Sequence, residues 1–312
     1  MSLVRNREAP ALVEWQDGVH MVGTPVWCDA RHAREVCFLS SARAEAHSHL
    51  RVLATRETMK LLRKRPSRGS ALTVPFGRPF ALGELRLELF PSGRGPGAAS
   101  LLVESKAGRV AYAGVVGRGG PLSPAAEIRA CDAIVIDGSL VRPGRKVPPT
   151  EEVIADIGRW VDRVLAERAT PVLLADPFGR AADLAHLLGK KHRLRVHRTI
   201  FDVLKRLRSL GVSLPRATCL TAAPAIGDVV IWPIDASAAR SIRRPRLALV
   251  DGLALNPDAT RRFGVEEAFP WSCRLGHDEL LAYIEQTGAR QVFLLGDSGG
   301  LPGTPLGQLR LF

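Results

Sequence analysis

Apolar positions recur with two different periods along the chain, and the change of period divides it. Up to Asp137 the apolar stretches are short, alternating or compact, and broken by Gly, Pro and Asp. Leu12–Trp15 and Val19–Val22 flank Gln16-Asp17-Gly18, a hairpin signal. Pro25–Cys28, Val36–Leu39 and Val52–Ala54 follow as strands. Thr55 is placed to cap a helix over Arg56–Leu62, with Glu57 near its positive end, and Arg63–Ser70 reads as a basic loop. Leu85–Phe90 alternates as LRLELF, and Ser100–Glu104, Val110–Ala113 and Ala133–Asp137 complete the series. Strands of this kind, with few helices between them, predict two packed sheets with helices outside.

After Val141–Pro149, a hinge rich in Arg, Gly and Pro, the period lengthens. Thr150 and Glu152 open an amphipathic helix to about Arg168. Val172–Leu174, Leu194–His197 and Leu247–Val250 read as strands. Arg180–Leu188, Ile200–Leu210 and Asp278–Thr287 read as helices, and Val292–Leu295 closes the pattern as a strand. Alternating strands and helices predict a small parallel α/β domain.

Composition narrows the classes. The chain has 312 residues, of which 46% are hydrophobic, so real cores are within reach. No apolar run is long enough to span a bilayer, and the first residues lack a signal-peptide core; the expectation is a soluble, cytoplasmic protein with no membrane partner. Five scattered cysteines without a CxxC pair argue against a disulfide framework and a structural zinc knuckle. The net charge of +13, from 44 Lys plus Arg against 31 Asp plus Glu, favours a polyanionic partner such as nucleic acid. Basic strings at Lys60–Arg68, Arg142–Lys146, Lys190–Arg198, Lys205–Arg208 and Arg240–Arg246 point the same way. Aromatic residues make up only 5% of the chain, so contact with the phosphate backbone is expected rather than base stacking.

Six stretches, in order, carry a resemblance. They are FLSSARAEAHSHLRVLATRETMKLL, LFPSGRGPGAASLLVE, VAYAGVV, ADPFGRAADL, RVHRTIFDVLKRLRSLGVSLP and FPWSCRLGHDELLAYIEQTGARQVFLLGD. Together they resemble the metallo-β-lactamase fold nucleases with a β-CASP insertion. The likeness is strongest to the DNA-ligase-associated exonuclease and mRNA 3′-end-processing-factor-like branch. The resemblance implies an α/β sandwich of αββα type with an inserted β-CASP-like parallel α/β domain. The implied boundaries are residues 1–145 and 246–312 for the sandwich and 146–245 for the insertion.

In the active family two metal ions are held by His and Asp side chains at one rim of the sandwich. The positions that match those ligands here are Ser41, Arg43, Glu45, Ala46, Arg94, Val115, Arg274 and Gly296. Of these only Glu45 is a metal-binding residue type, and one carboxylate cannot hold a metal pair. No bound metal or other cofactor is therefore expected. A guanidinium repels a divalent cation but grips phosphate well. The expectation is an inactive nuclease homologue whose Arg43, Arg94 and Arg274 line a groove for nucleic acid, DNA or RNA. Arg180, at a helix start, and His197, at a strand end, are expected to assist. A partner role beside an active nuclease or DNA-repair protein follows by analogy. Two alternatives remain open. One is an active phosphodiesterase with zinc or manganese on a rebuilt site of Glu45, His47 and Asp137; the other is a protein-only scaffold.

Overall fold

The computed structural model describes residues 12–44, 49–63, 69–138, 146–235, 237–296 and 307–309, built on three sheets. The first sheet holds β1 (Val13–Trp15), β2 (Val19–Met21), β3 (Val26–Cys28), β4 (Val36–Phe38), β5 (Arg51–Ala54) and, after helix α1 (Arg56–Leu61), β6 (Ser70–Thr73), all in chain order. β1, β2 and β3 are antiparallel, whereas β3 to β6 run parallel. The first hairpin turns where Asp17 and Gly18 adopt φ of 54° and 153°. A Cβ on Gly18 would stand 2.5 Å from Ala30 Cα, so the turn needs glycine. Thr55 caps α1 as its sequence predicts, its Oγ1 accepting from Thr58 N at 3.1 Å.

The second sheet contains β7 (Phe80–Leu82), β8 (Leu85–Pro91), β9 (Ala99–Ser105), β10 (Gly108–Gly114) and β11 (Ala133–Asp137). Its inner face meets that of the first sheet in one core. Val19, Met21, Val36 and Phe38 pack there against Leu87, Leu89, Leu101 and Val103, all at most 3% exposed. The outer faces are covered as well. Leu39, Val52 and Ala54 lie under Leu62 and Met59 beside α1.

The next segment alternates helix and strand. It runs α2 (Thr150–Ala166), β12 (Thr170–Leu174), α3 (Arg180–Leu188), β13 (Arg193–Val196), α4 (Arg198–Ser209), β14 (Ala217–Cys219), β15 (Asp228–Trp232), β16 (Pro245–Val250), α5 (Ala259–Phe263) and β17 (Glu267–Phe269). The strands form a third, wholly parallel sheet in the order β14-β13-β15-β12-β16-β17. Helix α6 (His277–Thr287) then leads to β18 (Gln291–Leu295) and β19 (Gly307–Leu309), which extend the second sheet beyond β11. Leu280, Tyr283 and Ile284 of α6 cover that sheet's outer face at Leu102, Ala111, Ile134 and Ile136. Helix, sheet, sheet and helix therefore stack in layers, an α/β sandwich with a parallel α/β unit between its two parts.

The expected boundary at residue 245 is corrected. Leu247–Val250 does not return to the sandwich but pairs with β12, from Thr170↔Pro245 to Leu174↔Leu249, and β17 adds beyond it. The parallel sheet thus continues to Phe269. The reason lies in burial on both faces. Leu247 and Leu249 pack with Val172 and Leu174, while Ala248 and Val250 face the core under α2. A continuous apolar run is what a central parallel strand requires. Trp160 of α2 meets Phe269 of β17 edge-on at 6.0 Å, a contact of about 0.5–1.5 kcal/mol that binds the late strand to the early helix.

Candidate nucleic-acid interface

The carboxyl ends of β12 and β16 point at the rim of the sandwich where β4 and β8 end. In a parallel α/β sheet this edge is where ligands are usually held. Here it meets the loop after β4, the loop after β8 and the segment between β17 and α6. Between them lies a cavity of about 150 Å³ lined by Arg43, Arg94, Asp176, Gly179, Ile234, Asp251, Gly252, Leu253, Ser272, Cys273 and Arg274. Arg43, Arg94 and Arg274 all line this one cavity.

Each loop is shaped by its own contacts. After β4, Ser40 donates from N and Oγ to Asp29 at 2.8 and 2.6 Å, and Tyr112 Oη donates to the same carboxylate at 2.9 Å. Asp29 holds φ of 47°, an uncommon backbone for a non-glycine residue, and burial raises its pKa. The Arg94 loop is braced by Gly93, where a Cβ would sit 1.9 Å from the Gly117 carbonyl oxygen. Ser272 fixes the Arg274 backbone, with its Oγ 2.9 Å from Arg274 N.

The arginines differ in their partners. Arg43 forms an ion pair with Asp176, which follows β12. Arg274 pairs with Asp137 at the end of β11. Among the described residues, no hydrogen bond or ion pair reaches the Arg94 guanidinium. Burial pushes its pKa down to about 10, and the neighbouring charges of Arg43 and Arg274 push the same way. Burial also lowers the pKa of Arg43, against the pull of Asp251, and raises that of the Cys273 thiol. Two of the three cations are thus paired with carboxylates, and the third is half-buried in the cavity with only the more distant charges of Asp29 and Cys273 to oppose the other arginines. Gly179 opens α3 on the same wall, without a side-chain cap, and sets the positive end of a helix there.

Among the described residues, the remaining matched positions supply no imidazole or carboxylate. Ser41 is buried, Val115 is half-buried, and Gly296 is an exposed residue with φ of 101°. Glu45, Ala46 and His47 lie outside the described residues. Among the described residues, no group of three or more His, Cys, Asp and Glu could hold a metal ion. Seryl, guanidinium, valyl and glycyl groups at these places do not fit a metal pair.

Two expected contributors are corrected. Arg180 is 1% exposed. Its Nη1 donates to the Gly119 carbonyl at 2.9 Å and to Asp183 Oδ2 at 2.8 Å, its Nη2 donates to the Ser272 carbonyl, and its guanidinium lies 4.8 Å from the Trp271 ring centroid. It joins the parallel unit to the sandwich and cannot reach a nucleic acid. His197 caps α4 by accepting from Thr199 N at 3.2 Å, rests against Trp232, and does not line the cavity. His49 follows a polar stretch that suggests an exposed loop, yet it is fully buried and accepts from Arg34 N through Nδ1 at 3.2 Å.

Much of the basic charge is used internally as well. Arg118 reaches Glu279 and the carbonyls of Val147 and Pro148, and Arg206 reaches those of Leu61 and Leu62. Arg193 and Arg195 face Asp228, while Arg246 faces Glu167 and Glu266. Exposed cations remain at Arg56, Lys60, Arg63, Lys190, Lys191 and Lys205. Reasoning from sequence misses Asp29, Asp176 and Asp251. The available signal is an acid just past the carboxyl end of a parallel strand, as Asp176 and Asp251 are.

No helix among the described residues is long and apolar enough to cross a membrane. No family model matches the chain. A protein of Opitutus terrae named "Probable DNA ligase" is 26% identical over 293 residues, which is 91% of this chain and 29% of that protein. The chain thus spans less than a third of the length of this relative. A crystal structure of a protein of unknown function from Enterococcus faecalis V583 superposes with a TM-score of 0.58 at 13% identity, covering 88% of this chain and 81% of that one. That likeness is one of fold.

Proposed function

We propose that this chain is a catalytically inactive homologue of a metal-dependent β-CASP nuclease, which binds nucleic acid through phosphate instead of cleaving it. The observation that carries the reading is Arg94. Its guanidinium is half-buried, no hydrogen bond or ion pair from the described residues reaches it, and Asp29 and Cys273 only partly offset the repulsion of two further arginines at positions the resemblance assigns to metal ligands. An anionic ligand would offset that repulsion. The net charge of +13 and the exposed lysines and arginines outside the cavity supply attraction along a longer backbone. DNA is favoured over RNA by the name of the Opitutus terrae relative, and so is a role beside a DNA-joining or repair activity.

The test is binding of fluorescent DNA across a salt series, with parallel incubation in Mn²⁺ or Zn²⁺. Affinity should fall linearly with salt on logarithmic axes, and the DNA should stay intact. Cleavage that requires metal and is lost in Glu45→Ala would overturn the inactive reading. Absence of salt-dependent binding to either DNA or RNA would leave the protein-only scaffold.

A further inference from the structure

We propose that the open edge of the first sheet, at β6, takes an extended segment of a partner protein as a further strand, one that is apolar in its middle and acidic at its flanks. β6 is the last strand of its sheet, and no described strand pairs with its other side. Ser70 N and Val74 N donate to the Leu50 and Ala54 carbonyls at 3.0 Å. The amide and carbonyl of one residue point to the same side of a strand, and that side alternates along it. Ala71 and Thr73 therefore aim their N–H and C=O groups outward, away from β5. All four residues of β6 are exposed. Natural edges are usually blunted by charge, proline or a bulge, and the Ser-Ala-Leu-Thr of β6 carries none of these.

The core between the two sheets also runs out at this edge. Leu72 stands opposite Leu53 in register, and Leu53 packs in that core. Paired residues share a face of the sheet, so Leu72 points inward as well, yet it is 50% exposed. β7 is the edge of the second sheet. Its Phe80 and Leu82 line, with Leu53 and Leu72, a cavity of about 240 Å³. A space of roughly 150 Å³ holds a benzene ring, so a leucyl or phenylalanyl side chain fits here. A strand added to β6 places every second side chain on the inner face and delivers one of them into this cavity.

Charge selects the partner. Arg51 lines the cavity and Arg78 precedes β7, and both are exposed. Glu35, just before β4, offsets them in part, while Glu84 in the turn after β7 is held by Lys106 at 2.7 Å. Acidic flanks on the incoming strand meet such a rim favourably, and basic flanks are repelled. A nucleic acid would satisfy the arginines but neither the strand amides nor the apolar slot. A second copy, paired about a two-fold axis, would set these arginines against their own kind.

The experiment uses fluorescein-labelled peptides that share a core of alternating leucine and threonine. Three differ only in their flanks, which are Asp, Gly or Lys at both ends. Two more keep the Asp flanks and carry N-methyl groups on either the leucine or the threonine amides. Anisotropy is read for the native protein, Ala71→Pro, Leu72→Lys, Arg51→Gln and the remote double variant Lys190→Gln/Lys191→Gln. The Asp-flanked peptide should bind about tenfold or more tighter than the Lys-flanked one, and Arg51→Gln should narrow that gap. One set of N-methyl groups should abolish binding and the other should be tolerated, because a strand offers only alternate amides to its neighbour. Ala71→Pro removes an outward amide and Leu72→Lys charges the slot, so each should weaken binding about tenfold or more, whereas the lysine double variant should not. If Ala71→Pro fails to fold, the N-methyl peptides read the same ladder on the native protein. Amide exchange at Ala71 and Thr73 should slow when the Asp-flanked peptide is added. Absence of binding by every peptide, equal affinity across the flanks, or indifference to both N-methyl sets would overturn the inference. A dimer in sedimentation that Ala71→Pro abolishes would also overturn it and make the occupant a second copy. DNA binding that Ala71→Pro abolishes would overturn it in favour of nucleic acid.

Discussion

Arg206 Nη1 on α4 lies 2.8 Å from the Leu62 carbonyl oxygen and 3.1 Å from that of Leu61, where α1 ends. A cation at the carboxyl end of a helix satisfies orphan carbonyls and opposes the local dipole. The contact also joins the parallel unit to the sandwich. Arg206→Ala should cost about 1.5–3 kcal/mol in urea unfolding, the range for hydrogen bonds to a charged donor. Amide exchange should quicken in α1 as well as in α4. Arg198→Ala, which removes only an exposed pair with Asp202, should change stability by about 0.5 kcal/mol or less.

Arg180 is the deeper fastener. Arg180→Met should cost about 3–5 kcal/mol, because it strands the Asp183 carboxylate in the core. Burial already raises the Asp183 pKa against the pull of Arg180, and removing the arginine raises it further. The folded state of the variant then holds a proton that the unfolded state releases above the ordinary value of 3.8. Its stability should therefore fall as pH rises from that value through the folded pKa. Unfolding curves at several pH values would check the slope, and a flat profile would argue against a stranded carboxylate.

Arg94 should behave in the opposite sense. Arg94→Met removes a half-buried charge that Arg43 and Arg274 repel more than Asp29 and Cys273 attract, and keeps most of the volume. It should stabilise the fold by about 1–3 kcal/mol while weakening DNA binding. Higher stability with poorer function marks a residue kept for its ligand. Thermal unfolding and DNA titration of one preparation would measure both. A fall in stability would show that Arg94 is held by the protein itself.

His197 gives a pH dependence of its own. Burial lowers its pKa below 6.5, so the folded protein resists protonation that the unfolded chain accepts. Its contribution to stability is complete above pH 6.5 and is lost as pH falls below that value. His197→Asn keeps an acceptor for Thr199 N and should flatten this part of the stability profile, which unfolding curves at several pH values would check.

Elements with a strong internal pattern are legible in the amino-acid order alone. The Asp17-Gly18 hairpin, the alternating β8 and the capped α1 all follow from local chemistry. β6 and β7 carry no such signal. β6 is exposed at all four positions, and β7 has three residues, so neither shows an apolar alternation. Leu247–Val250 is legible as a strand, but the unit it joins is not. A buried parallel strand looks the same whichever sheet it enters, and the choice depends on Val172 and Leu174 far back in the chain.

The chain by itself determined which donor groups stand at these positions. Ser41, Arg43, Arg94, Val115, Arg274 and Gly296 carry no imidazole or carboxylate, because donor capacity belongs to the residue type. Only the tertiary structure decided what the arginines do instead. Arg180 is sunk beneath Trp271, Arg43 and Arg274 are matched to Asp176 and Asp137, and Arg94 stands in the cavity with no hydrogen bond or ion pair from the described residues. The consequence of a charge is set by its distance to other charges and by the water removed around it. Both arise when β12, β16 and the sandwich rim are brought to one edge.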